Sequence, residues 1–143
     1  MTSEGVYAGR AWDESTGEDR YRRGVYTYWR RTSPYPSFVT FDASSRETCT
    51  PRRIVTSIPL QALVTLNDPV YVEAARALAA RALRECPGGS SERIEWIWQQ
   101  VLQRNPDANE LATMSNLLSH HHGEYSRDPS AANALLHVGQ TSF

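Results

Sequence analysis

Four interruptions divide the chain after Pro59: Asn67-Asp68-Pro69, Cys86-Pro87-Gly88-Gly89, Asn105-Pro106 and Asp128-Pro129. Proline fixes φ and lacks an amide hydrogen, so it opens helices readily and breaks them when placed inside. Each interval between the breaks has the length of one short helix, and this part of the chain is therefore committed to an assembly of short helices.

The apolar residues in those intervals recur at helical period. A first helix is expected over Leu60 to Leu66, and Asp68 is expected to cap the next with Pro69 at its first position and a buried stripe of Tyr71, Ala75, Leu78 and Ala82. A third helix begins at Ser90 or Ser91, with Glu92 and Glu95 favouring its positive end. Its Ile94, Ile97, Trp98, Val101 and Leu102 fit the i, i+3, i+4, i+7, i+8 pattern, and Trp96 falls on the opposite face. Asp107 and Glu110 form a capping-box start for a fourth helix that carries Leu111, Met114, Leu117, Leu118 and Tyr125. Asp128-Pro129 opens a last one through Leu135 and Leu136, closed by Gly139.

The first forty residues follow another grammar. Val6 to Trp12 and Tyr21 to Trp29 are rich in aromatic and β-branched residues and flank the polar cluster Ser15-Thr16-Gly17-Glu18-Asp19, which predicts a β-hairpin. Both faces of its second arm carry aromatic surface, so the hairpin needs covering from elsewhere. Phe38 to Phe41 reads as a short extended segment after Pro34 and Pro36. The fold class expected is mainly α: an N-terminal β-hairpin and an irregular Arg-rich loop, then about five helices. We expect a single domain over 1–143, with hairpin and loop at 1–58, a helical part at 59–139 and a tail at 140–143.

Size and composition exclude several classes. A chain of 143 residues fits one domain, and 40% hydrophobic with 22% charged residues is far from the disordered corner of composition. No apolar run reaches a membrane span, so no membrane insertion is expected, and the acidic start has no signal-peptide pattern. The net charge of −1 conceals an uneven distribution: residues 20–53 hold eight Arg against two acids, while the flanking segments are acidic. All fifteen basic residues are Arg, whose planar fork suits carboxylate, sulfate or phosphate. With a pI of 6.4, no nucleic-acid partner is expected.

Candidate chemistry is sparse. Cys49 and Cys86 form no CxxC, CxxCH or zinc-finger spacing and read either as free thiols or as one disulfide in an exported chain. Neighbours on a helix diverge by about 100°, so His120, His121 and His122 are not expected to converge on a metal; the chelate spacing is His120 with Glu124, and His121 and His122 are expected to pack beside the apolar stripe. No G-x-S-x-G elbow or phosphate loop is present, and no catalytic residue is assigned. The densest polar stretch runs from Phe41 to Arg53. Its residues Asp42, Arg46 and Glu47, with Arg52, Arg53 and the flat ring of Trp29, are the candidate ligand- or partner-binding group; they serve equally as braces of an irregular loop.

The ordered series Tyr21-Arg22-Arg23-Gly24-Val25-Tyr26-Thr27-Tyr28-Trp29-Arg30-Arg31-Thr32, Pro34, Pro36-Ser37, Phe41-Asp42-Ala43, Ser45-Arg46-Glu47, Cys49, Arg52-Arg53, Pro59-Leu60-Gln61-Ala62-Leu63 and Leu66-Asn67-Asp68-Pro69 is distinctive. It closely resembles the C-terminal domain of unknown function (family 1553) of the large planctomycete cytochrome-C-type, PSD-containing proteins, over about Val6 to Gly139. That resemblance implies an extracytoplasmic or periplasmic protein with upstream domains. It implies haem c only in an upstream module, with no cofactor in this chain, which then reads as a C-terminal fragment. The function expected is a non-catalytic module that docks on those upstream domains. The alternatives are a polyanion- or glycan-binding module serving polysaccharide degradation, and part of a composite hydrolase or oxidoreductase site.

Overall fold

The computed structural model describes residues 15–29, 34–45 and 48–141, and it is mainly helical. Its helices are α1 (Pro36–Thr40), α2 (Pro59–Asn67), α3 (Pro69–Glu85), α4 (Ser90–Leu102), α5 (Ala108–Arg127) and α6 (Pro129–Leu136). The backbone gathers into two compact units, residues 1–65 and 66–143, with the boundary inside α2. No helix among the described residues is long and apolar enough to cross a membrane.

All five expected helices form where the breaks place them, and at α3, α5 and α6 the start is closed by a side chain that satisfies otherwise unpaired amides. Asp68 accepts from Val70 N at 2.9 Å, and Asp128 accepts from Ala131 N at 2.9 Å. At α5 the reciprocal box is complete: Asp107 Oδ1 accepts from Asn109 N and Glu110 N, both at 2.8 Å, and Glu110 Oε2 accepts from Asp107 N at 2.9 Å. Arg104 adds a two-pronged pairing to the Glu110 carboxylate at 2.6 and 2.8 Å. The Arg104 bond first, and then the Asp107 amide, hold the Glu110 carboxyl down at about 2. Gln103 ends α4 in the left-handed region, φ 56°, turning the chain toward α5.

Two expectations are corrected. No strand occurs among the described residues. The polar cluster leads into a tight 3-10 turn at Gly17–Tyr21, the expected second arm, Tyr21 to Trp29, makes another at Gly24–Tyr26, and the first arm, residues 6–12, lies outside the described residues. Aromatic residues on both faces of that arm name no single buried side, so nothing pins a strand register. Short local bonds, Tyr26 N to Arg23 O at 2.9 Å and Thr27 N to Gly24 O at 3.2 Å, serve the backbone instead. The extended segment expected at Phe38 to Phe41 is α1, a single helical turn and a little more. Pro36 at its first turn supplies the helical φ.

In the unit 66–143, α3 packs on α4, α4 on α5 and α5 on α6. The stripe expected on α3 is partly covered: Ala82 is buried, Tyr71 and Leu78 are half-buried, and Ala75 is exposed. Arg81 and Arg104 lie 5.4 Å over the rings of Trp96 and Trp98, so both faces of α4 carry a guanidinium lid on an indole.

Among the described residues the most enclosed polar one is Glu73, 4% exposed. Its carboxylate accepts from Thr141 N at 2.8 Å and from Gln140 N at 3.4 Å. Arg76, one turn along α3, lies 3.8 Å from it and donates to the carbonyls of Leu136 and Thr141. The segment after α6 is thereby bound to α3, which closes the helical circuit. Gly139 makes the approach with φ +101°, and a Cβ there would sit 2.4 Å from Glu73 Oε2.

Glu73→Ala leaves Arg76 enclosed without its carboxylate and should destabilise the chain by about 3 kcal/mol or more in urea unfolding, with Arg76→Ala costing less when added to it than alone. A second expectation concerns acid. The folded-state value of Glu110 is depressed, so its contribution is complete above its ordinary value of 4.5 and disappears as pH falls toward about 2. Stability of the Glu110→Gln protein should accordingly vary less with pH across that window than that of the parent.

Candidate functional site

The arginine- and aromatic-rich segment of the unit 1–65 is organised around Phe38. The Trp29 ring stacks on it with centroids 4.9 Å apart and planes 14° from parallel, and Tyr35 meets it edge-on at 5.5 Å. Gly24 also lies close to the ring, where a Cβ would approach Phe38 Cε1 to 3.0 Å. The Trp29 indole N–H is donated to Ser45 O at 3.1 Å, so the ring is oriented as well as stacked.

α1 ends in a double turn that fixes the position of Asp42. Ala43 N reaches Phe38 O at 2.8 Å and Asp42 N reaches Val39 O at 3.4 Å, the bonding of a Schellman closure. Glycine usually occupies the left-handed position of that closure; here Asp42 does, at φ 57°. Its carboxylate explains the choice. Oδ2 accepts from Thr56 N at 2.6 Å, and the Thr56 hydroxyl donates to the same carboxylate at 2.8 to 3.0 Å. The Thr56 amide, then its hydroxyl, and last the Arg53 charge hold the Asp42 carboxyl below the usual carboxylate range.

Arg53 completes the closure from the other side: Nε donates to Asp42 O at 3.0 Å and Nη2 to Phe41 O at 3.3 Å. Gln61, at the start of α2, donates to Thr40 O at 2.9 Å and to Thr56 Oγ1 at 3.3 Å. The last carbonyls of α1 are thus met by side chains from eleven to twenty-one positions further along the chain.

Of the candidate group, Asp42 and Arg53 are brought together and directed at the chain's own backbone, and Trp29 stands one ring away over Phe38. Arg52 is exposed, and Arg46 and Glu47 lie outside the described residues. Sequence reading missed Thr56 and Gln61, because nothing local signals a bond to a residue fourteen or twenty-one positions earlier. Around the closure the surface is apolar: Ile54 and Val55 are 71% and 87% exposed, and Ile58, Leu60 and Val39 are also exposed. Tyr26 and Tyr28, at the edge of the aromatic turn, are exposed too.

Cys49 and Cys86 are free thiols, Cys49 in the exposed loop and Cys86 at the end of α3. Neither lies in a CxxC or CxxCH spacing. The one group of side chains with metal-ligand chemistry among the described residues is His120, His121 and Glu124 on α5.

The chain belongs to PSD1, proteins of unknown function (DUF1553), whose family model matches residues 2–118. No curated protein and no solved structure matches the chain.

If Asp42 holds the loop as described, Asp42→Ala should release the Thr56 amide to rapid hydrogen exchange and accelerate exchange at Ala43, while the amides of α4 and α5 keep their protection. Asp42→Asn, which tolerates the left-handed backbone and keeps one acceptor oxygen, should produce a smaller change at Thr56. Equal acceleration in all regions would show that Asp42 acts on the whole chain.

Proposed function

We propose that this chain is a non-catalytic module that docks on upstream domains of a longer extracytoplasmic polypeptide, with the surface around the α1 closure as its contact. The observation that carries this reading is the distribution of burial. Among the described residues only Ala82 and Glu73 are buried, whereas Ile54, Val55, Ile58 and Leu60 follow one another along an exposed segment. Isolated exposed apolar residues are ordinary on a protein surface; four within seven positions of one segment mark a contact.

The energetics favour a tethered partner. Covering a Val, Ile or Leu side chain contributes roughly 1.5–3 kcal/mol, and association between free molecules costs about 4–15 kcal/mol. Four such residues therefore give modest affinity for a free partner. Linkage in one polypeptide supplies effective concentrations on the order of mM, which makes the same contact sufficient. In this reading Asp42, Arg53 and Trp29 shape the contact from behind. Arg52, exposed in the same loop, stands at its edge, where it pairs with acidic groups of the partner.

The experiment uses the isolated chain and an environment-sensitive dye that fluoresces on apolar surface. The chain should bind dye, and Ile54→Ser combined with Val55→Ser should lower the signal without changing helical circular dichroism. Upstream domains added as a separate polypeptide should suppress dye binding by the parent chain and be bound at least about tenfold more weakly by the double variant. A compact monomer that binds no dye would overturn the proposal.

A further inference from the structure

A second cluster lies on α5, beyond the residues that the family model matches. His120 Nε2 is 3.3 Å from Glu124 Oε1, and His121 Nδ1 is 2.9 Å from Glu124 Oε2. Helical geometry explains how two neighbouring imidazoles reach one carboxylate. Relative to Glu124, a residue four positions back is displaced by about 40° around the axis in one sense, and a residue three back by about 60° in the other. The two rings flank Glu124 one turn below it, each taking a separate oxygen. Their centroids lie 5.4 Å apart with planes at 64°, and His121 also stands beside the Tyr125 ring. The sequence pattern suggested divergent imidazoles; the intervening carboxylate makes them converge.

We propose that His120, His121 and Glu124 form a surface site for a divalent transition-metal ion of the zinc, nickel and copper class. Two imidazole nitrogens and one carboxylate oxygen, all within 4.8 Å of one another, supply the donor set such ions prefer over calcium or magnesium. A tetrahedral ion with bonds of about 2.1 Å needs its ligand atoms about 3.4 Å apart. All three side chains are at least half exposed, so rotation about their own torsions closes that difference without moving the helix. The carboxylate then exchanges its hydrogen bond to His121 and its 3.3 Å contact with His120 for one metal bond, and water fills the remaining positions. The role of such a site is attachment, because an exposed ion with free coordination positions accepts a histidine or carboxylate from another molecule.

The test is titration of the full chain with zinc ions by calorimetry, with the imidazole signals followed by NMR. One ion should bind per chain, with the His120 and His121 resonances shifting and those of His122 and His137 unchanged. His120→Ala, His121→Ala and Glu124→Gln should each weaken binding at least about tenfold, since even the loss of an outer partner of a metal ligand costs that much. His122→Ala and Cys49→Ser should leave affinity unchanged, and magnesium should not compete. Absence of saturable binding in a chain with intact helical circular dichroism would overturn the proposal. So would binding that survives all three ligand substitutions or disappears with Cys49.

Discussion

The enclosed carboxylate of Glu73 is the constraint on which the helical unit depends. Three successive helix pairs, α3 with α4, α4 with α5 and α5 with α6, make an open series, and packing of neighbours alone does not return the chain to its start. The return is made by hydrogen bonds: Glu73 takes the amides of Gln140 and Thr141, and Arg76 takes the carbonyls of Leu136 and Thr141. Charge-assisted bonds to backbone are stronger than neutral ones, and sequestering them from water removes the competitor that would weaken them. A charge kept this far from solvent is costly without partners. The unit is therefore held to one arrangement of α3 and the segment after α6.

The unit 1–65 uses the same device on a smaller scale and nearer to solvent. Asp42, Arg53, Thr56 and Gln61 bind the end of α1 to the segment that leads into α2. Polar side chains bonded to backbone can define a loop without a large core behind it. The consequence is an apolar segment left outside, with Val55 almost wholly exposed beside a rigidly defined closure. A pre-ordered backbone next to uncovered apolar side chains loses little further entropy on contact, which is the property a docking surface requires.

The family match, residues 2–118, covers the aromatic turn, the α1 closure and the helices through most of α5. The exposed apolar segment from Ile54 to Leu60 falls inside that span and the histidine cluster falls outside it. The two are separate properties: one belongs to the part of the chain shared with the family model, the other to the end of a helix that the model does not reach.

The five helices were legible in the sequence because their signals are local. Asp68, Asp107 and Asp128 lie two or three residues from the amides they accept, and proline fixes backbone geometry at its own position. The α5 capping box was legible to the atom. The candidate site was legible only in part. Asp42 and Arg53 stood out as charged residues of an irregular stretch, but their direction toward Phe41, Asp42 and Thr56 was not readable, since those bonds join positions more than ten residues apart. The expected hairpin failed where alternation gave no preference between two aromatic faces, so that local turns prevailed. What the amino-acid order determined by itself was where helices begin and end, because a cap and its amide are neighbours in the chain. Which charged residues became enclosed, and which apolar ones were left in water, was decided only by tertiary structure, because burial depends on what the rest of the chain brings alongside.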